Sequence, residues 1–148
     1  MFTKILFPTD GSEISRQAAE QAVALARALG IEIVAFHSIP PFSMPISDGV
    51  YAYEPVLSEE GYLTACRQAA RQMTGEVQAL AAKAGVKCEV DIAIAPAAWS
   101  AVIEAAASNR CDLIVMASHG RRGLAGVVLG SETTKVLTHS KVPVLVCR

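Results

Sequence analysis

Two rhythms alternate along the chain: short unbroken apolar runs, and stretches in which apolar residues return every three or four positions. The runs Ile5-Leu6-Phe7, Ile33-Val34-Ala35-Phe36 and Leu113-Ile114-Val115-Met116 predict strands covered on both faces, as inside a parallel sheet. Two further segments differ. From Cys88 to Ile94 apolar positions alternate with Glu89, Asp91 and Ala93, which predicts a strand with one more polar face. Val142-Pro143-Val144-Leu145-Val146 contains a proline, which confines it to an edge or to the start of a strand. The three continuous runs therefore belong in the centre of a sheet and the other two at its edges.

Helical spacing fills the intervals. Ile14, Ala18, Ala22, Leu25 and Leu29 form one stripe, with Ser12 placed to cap its start and Gly30 its end. A longer stripe runs through Tyr62, Ala65, Ala69, Met73, Val77, Leu80 and Ala84 and stops at Gly85. A third helix is expected from about Ala97 to Ser108 and a fourth from Ser131 to about His139. Strict β-α alternation with short connections predicts one α/β domain over residues 1–148, an open five-stranded parallel sheet with helices on both faces. The exception is Pro40 to Leu57, with four prolines, which reads equally as a lid or interface and as a plain excursion.

Bulk composition narrows the function classes. Hydrophobic residues make up 52% of the 148 and charged residues 18%, so disorder is excluded. The net charge is −1, with five Lys/Arg against eight Asp/Glu in the first 74 residues and eight against six in the rest. Neither half is basic enough for a nucleic-acid surface. No run is long enough to span a bilayer and the N-terminus has no signal-type pattern, so a cytoplasmic protein without membrane insertion is expected. Cysteines 66, 88, 111 and 147 stand alone, without metal-type spacing, and read as free thiols.

Open α/β sheets bind ligands beyond the carboxyl ends of their strands, where the strand order reverses. The segment after the Leu113–Met116 run is the most informative. Gly120, Gly123, Gly126 and Gly130 fall within eleven residues, and Gly130-Ser131 opens the last helix. Glycines admit close backbone approach or positive φ, and a helix N-terminus offers unpaired amides to phosphate. The Ser131 hydroxyl and the charges of Arg121 and Arg122 can add to such a site. The alternative is a glycine-rich turn with a capping serine. There is no Gly-Lys-Ser/Thr, and the glycines do not follow the first strand, so neither the P-loop nor the dinucleotide fingerprint applies. Among the histidines, His119 alone falls in this region, for packing, phosphate contact or acid catalysis; His37 reads as structural, and His139 suits a helix C-terminus.

The segment resembles the nucleotide-binding signature of the universal stress protein family: Gly, two residues, Gly, nine residues, Gly, then Ser or Thr. Gly120, the nine residues Arg121 to Leu129, and Gly130-Ser131 match, while Ala117 replaces the first glycine. The opening Lys4-Ile5-Leu6-Phe7-Pro8-Thr9-Asp10-Gly11-Ser12 and the ending Lys141-Val142-Pro143-Val144-Leu145-Val146 are also similar to the family's. The resemblance implies a Rossmann-like sheet of order 3-2-1-4-5, ATP or AMP as ligand, and a homodimer through Val142–Val146. It further implies that Pro8, Thr9 and Asp10 contact adenine or ribose, and that Ser38 contacts adenine through its backbone. Met116, Ala117, His119 and Gly120 would line the ribose and α-phosphate, and Gly130, Ser131, Glu132 and Thr133 would hold the distal phosphates.

Two positions leave the ligand open. If position 117 needs positive φ, alanine is strained there; if it needs only smallness, a methyl group is a minor intrusion. Glu132 suits a first helical turn, but aimed inward it would repel a γ-phosphate, favouring AMP or ADP or requiring a divalent ion. Asp10 alone is a weak magnesium ligand, and no Ser/His/Asp or Cys/His catalytic set is evident. The expected function is a dimeric, ATP- or AMP-binding stress-response regulator with unknown protein partners. Its alternatives are a slow ATPase or phosphoryl-transfer enzyme and an interaction module that no longer binds nucleotide.

Overall fold

The computed structural model of the chain describes residues 1–43, 58–121 and 129–148. Its elements run β1 (Lys4–Pro8), α1 (Glu13–Leu29), β2 (Glu32–Ile39), α2 (Glu59–Lys83), β3 (Cys88–Ile94), α3 (Ala98–Ser108), β4 (Leu113–Ala117), α4 (Ser131–His139) and β5 (Val144–Cys147). The strands form one parallel sheet in the order β3-β2-β1-β4-β5, so the three continuous apolar runs do occupy its centre. Ile5, Leu6, Phe7, Ile33, Val34, Ile114 and Val115 are completely buried.

Local chemistry sets the helix ends. The Ser12 hydroxyl accepts from the Ser15 amide at 3.3 Å to start α1. Gly30 ends it at φ 66°, where Gly30 N–H bonds Arg27 O and Ile31 N–H bonds Ala26 O, the paired pattern of a Schellman turn. Gly85, φ 72°, ends α2 in the same way through Ala82 O and Ala81 O. The α2 helix begins earlier than its apolar stripe predicts, at Glu59, because Ser58 Oγ caps the Gly61 amide at 3.0 Å. Its buried face also differs. Ala65 and Ala69 are exposed, and Ala70, Met73, Thr74, Val77 and Ala81 point inward. Thr74 is tolerated there because its hydroxyl donates to Ala70 O at 2.8 Å, leaving only its methyl to pack.

Two edge details correct the sequence reading. The last strand is Val144–Cys147 and not Val142–Val146, because the Val142 amide and carbonyl are both taken by the Ser140 hydroxyl. Pro143 contributes only its carbonyl, which accepts from Ile114 N–H. On β3 the apolar positions Val90 and Ile94 are exposed, although alternation predicts them inward. Edge strands are less completely covered than central ones.

The core has two layers. α1 and α2 cover one face over Ile5, Phe7, Ile33 and Val115, while α3 and α4 cover the other over Leu6, Val34, Ile114 and Met116. α1 therefore leaves β1 toward one face and α4 lies on the opposite face after β4. These neighbouring strand ends mark the point where the order reverses, the place at which open α/β sheets bind ligands. Among the described residues no helix is long and apolar enough to cross a membrane. Truncating Ile114 to Ala, at the centre of the sheet, should lower stability by about 3 kcal/mol. Urea denaturation checks this, and the slope should stay unchanged because the fold does not.

Candidate functional site

The candidate site lies at the two turns that follow β1 and β4. Thr9 continues the β1–β2 ladder by donating to Phe36 O at 2.9 Å. Its hydroxyl accepts from Gly11 N–H at 3.2 Å and from the Ser15 hydroxyl at 3.0 Å, which folds the chain sharply into α1. Gly11 at φ 71° completes the turn, and a Cβ there would lie 2.7 Å from the Met73 sulfur. The Thr9 carbonyl meets His37 Nδ1 at 2.7 Å; a carbonyl only accepts, so Nδ1 carries the proton and His37 is a satisfied structural residue.

Asp10 joins the two turns. One carboxylate oxygen accepts from Ser12 N–H at 3.0 Å and the other from Arg121 N–H at 2.8 Å, 111 residues away. Burial alone would push this carboxyl up. The hydroxyl and amide of Ser12, the amide of Arg121 and the guanidinium charge outweigh burial and hold it below the usual carboxylate range. Gly120 is glycine for this reason: its Cβ would collide with the Asp10 carboxylate. Its φ is not positive, so close approach rather than backbone freedom is what the position requires. Arg121 is exposed, and its guanidinium reaches back over Gly11 to the Met73 sulfur at 3.4 Å.

On the β4 side, Ser118 links three elements through its peptide groups. Its N–H donates to Cys147 O at 2.8 Å, and its carbonyl accepts from Gly130 N–H at 2.7 Å. A Cβ on Gly130 would stand 3.1 Å from His119 Cα, tight enough that the His119 backbone would have to give way by a few tenths of an ångström. His119 is half-buried, with Nδ1 3.1 Å from the Ser118 hydroxyl. Gly130 caps α4 without a side-chain acceptor, and Ser131 is exposed at the first helical position. The first backbone bond of α4 is Thr134 N–H to Gly130 O. The amides of Ser131, Glu132 and Thr133 therefore have no partner among the described residues.

Other predicted residues are placed with their polar groups already engaged. Thr133 is buried and its hydroxyl donates to Ala117 O at 3.1 Å. The Glu132 carboxylate turns toward α3, accepting from Trp99 N–H at 2.9 Å and from Lys135 Nζ at 3.1 Å. Ala117 is an ordinary residue of β4, and Arg110 is the only described non-glycine residue with positive φ, so alanine at 117 is unstrained. Met116 packs into the core beneath α3 and α4. Pro8 ends β1, and Ser38 lies half-buried near the end of β2 opposite Ala93. Arg122, Gly123, Gly126 and most of the Pro40–Leu57 segment lie outside the described residues.

Sequence patterns alone do not single out Met73 or Trp99 as neighbours of the site. Met73 looks like one more position of a core stripe, and its contact with Arg121 spans 48 residues. Among the described residues no three His, Cys, Asp or Glu side chains converge to hold a metal. All four cysteines are free, and burial pushes the Cys111 thiol up to about 11.

The family model described as "Universal stress protein family" matches residues 1–148. A universal stress protein of Thermus aquaticus is 32% identical over 148 residues, with both chains fully covered. Universal stress protein MJ0531 of Methanocaldococcus jannaschii is 30% identical over 151 residues, covering all of this chain and 83% of the relative. Among solved structures, UspA from Lactobacillus plantarum superposes with a TM-score of 0.82 over 99% of this chain and 98% of its own, at 22% identity. A universal stress protein in complex with cAMP superposes with a TM-score of 0.68 over 99% and 97%, at 28% identity.

The depressed Asp10 carboxyl fixes the sign of one pH effect. A lowered folded-state value means that its contribution is present above the unfolded pKa of roughly 3.9 and is lost as pH falls through the lower folded value. Denaturation curves of the wild type and Asp10→Asn should therefore differ at neutral pH and converge in strong acid. A gap independent of pH would show that the charge is not what the turn uses.

Proposed function

The chain belongs to the universal stress protein family, and from that membership and the cradle between β1 and β4 we propose that it is an adenine-nucleotide-binding regulator of the stress response, acting as a dimer. The observation that carries this reading is the first turn of α4. Three successive amides without partners among the described residues stand behind two glycines that permit close approach, beside a turn pinned by Asp10. That is a seat for phosphate. The relative with cAMP bound supports an adenine nucleotide as its occupant.

In this reading Pro8, Thr9, Asp10 and Ser38 face the adenine and ribose. Ala117, His119, Gly120 and the Met116 backbone line the ribose and α-phosphate. Gly130 and Ser131, with the amides of Glu132 and Thr133, hold the outer phosphates, and Arg121 adds charge. AMP and ATP are the candidate ligands, with Mg2+ accompanying ATP. Ala117 does not oppose binding, because its strand conformation needs no glycine. Glu132 does not oppose ATP, because its carboxylate is held by Trp99 and Lys135. Four free cysteines suit a reducing cytoplasm.

For assembly, β5 is the sheet edge next to the site, and Leu145 on it is 45% exposed. Pairing of Val144–Cys147 with its copy would cover that edge under two-fold symmetry.

Two measurements test the reading. Calorimetry of nucleotide-free protein should show heat with AMP or ATP, and Gly130→Val should weaken binding about tenfold or more by crowding His119. Absence of heat with every adenine nucleotide would remove the claim. Sedimentation should give a dimer at micromolar concentration that Leu145→Lys converts to monomer. A wild-type monomer would overturn the assembly.

A further inference from the structure

Helices α3 and α4 both start at the carboxyl end of the sheet, and α3 starts without a cap of its own. Its N-cap is Ala97, which offers no side-chain acceptor, and its first turn contains no acidic residue. The Trp99 amide in that turn is answered from elsewhere: Glu132 Oε2, in the first turn of α4, accepts from it at 2.9 Å. The second carboxylate oxygen takes Lys135 Nζ at 3.1 Å, so the charge is balanced within α3 and α4. At the other end of α4, the His139 ring packs on the Trp99 indole with centroids 4.7 Å apart. One residue of α3 thus holds α4 at its first turn and at its last residue.

On the sheet side the start of α4 is tied by Gly130 N–H to Ser118 O and by the Thr133 hydroxyl to Ala117 O, and Glu132 supplies the tie on the α3 side. The α4 helix is nine residues long, and only Thr133 and Val136 among them are buried. A helix so short is marginal without tertiary contacts. Yet the direction of its first-turn amides decides whether a phosphate is met well or poorly. We infer that Glu132 is a positioning residue of the nucleotide site: by capping α3 it fastens the first turn of α4 in the orientation that receives phosphate. The inference rests on the nucleotide reading above. It assigns Glu132 a role through its acceptor oxygen, distinct from repulsion of an outer phosphate. Coupling of this kind is reciprocal, so a phosphate that immobilises the turn also protects the Trp99 amide.

The test uses AMP and ATP as probes, with calorimetry, thermal melting and hydrogen exchange of the Trp99 amide. Glu132→Ala should weaken AMP and ATP alike by about tenfold, whereas Glu132→Gln, which keeps an acceptor, should remain within about threefold of wild type. AMP should slow Trp99 amide exchange in wild type and Glu132→Gln but not in Glu132→Ala. Ala97→Ser in the Glu132→Ala background gives α3 a cap of its own, as Ser12 and Ser58 do by taking the third amide of α1 and α2. It should restore the melting temperature but not the affinity, a split that a purely structural role would not produce. If Glu132→Ala alone does not fold, the double variant supplies the missing stability and decides the matter. Unchanged affinity in Glu132→Ala, alone or with Ala97→Ser, would overturn the role of Glu132 while leaving the site standing. Tighter ATP with unchanged AMP in Glu132→Gln would overturn it in favour of repulsion. A wild type that binds neither probe would overturn the site itself, and the inference with it.

Discussion

The Asp10 carboxylate bridges the two turns on which the site is built, taking the Ser12 amide on one oxygen and the Arg121 amide on the other. The strands that carry these turns are neighbours, but their connections leave toward opposite faces, so nothing in the sheet itself holds the turns together. A half-buried carboxylate between two amides does so, and its stabilised charge reports how well it is satisfied. Gly120 and Gly11 follow from it. One makes room for the carboxylate, and the other lets the chain turn beneath Met73 and Arg121.

Satisfied polar groups define what is left for a ligand. Thr9, Ser12, His37, Ser118, Glu132 and Thr133 all have their side chains engaged inside the protein. The amides of Ser131, Glu132 and Thr133, the Ser131 hydroxyl and the exposed Arg121 remain. A site made mostly of backbone donors at a helix start reads charge and shape more than side-chain identity. On the proposed nucleotide reading, this explains why a signature of glycines, rather than of acids and bases, marks it in the sequence.

Glu132 also shows how strongly context governs a charged side chain. In an isolated helix it would be one more acidic residue near a positive N-terminus. Here a neighbouring helix begins at Ala97, which cannot cap itself, and the carboxylate serves that helix. The same contact ties the α4 turn to the α3 layer and, through Trp99 and His139, spans the length of α4.

The chain's periodicity determined the order of the elements and which strands lie at the centre, because burial on two faces demands uninterrupted apolar runs and Pro143 excludes a central place. It also located the turns after Phe7 and Met116, since Gly and Ser at helix boundaries act through local backbone geometry. The inward face of α2 was not legible, because an alanine-rich helix offers several stripes of similar apolarity and only contact with the sheet selects Ala70 over Ala69. The start of β5 was equally hidden, since the Ser140 hydroxyl competes for Val142 through a contact that hydrophobicity does not record. Whether Ala117 is strained, and where Glu132 points, were decided only by tertiary structure. Both depend on groups brought together from distant parts of the chain: the β4–β5 pairing for one, and the uncapped α3 N-terminus for the other.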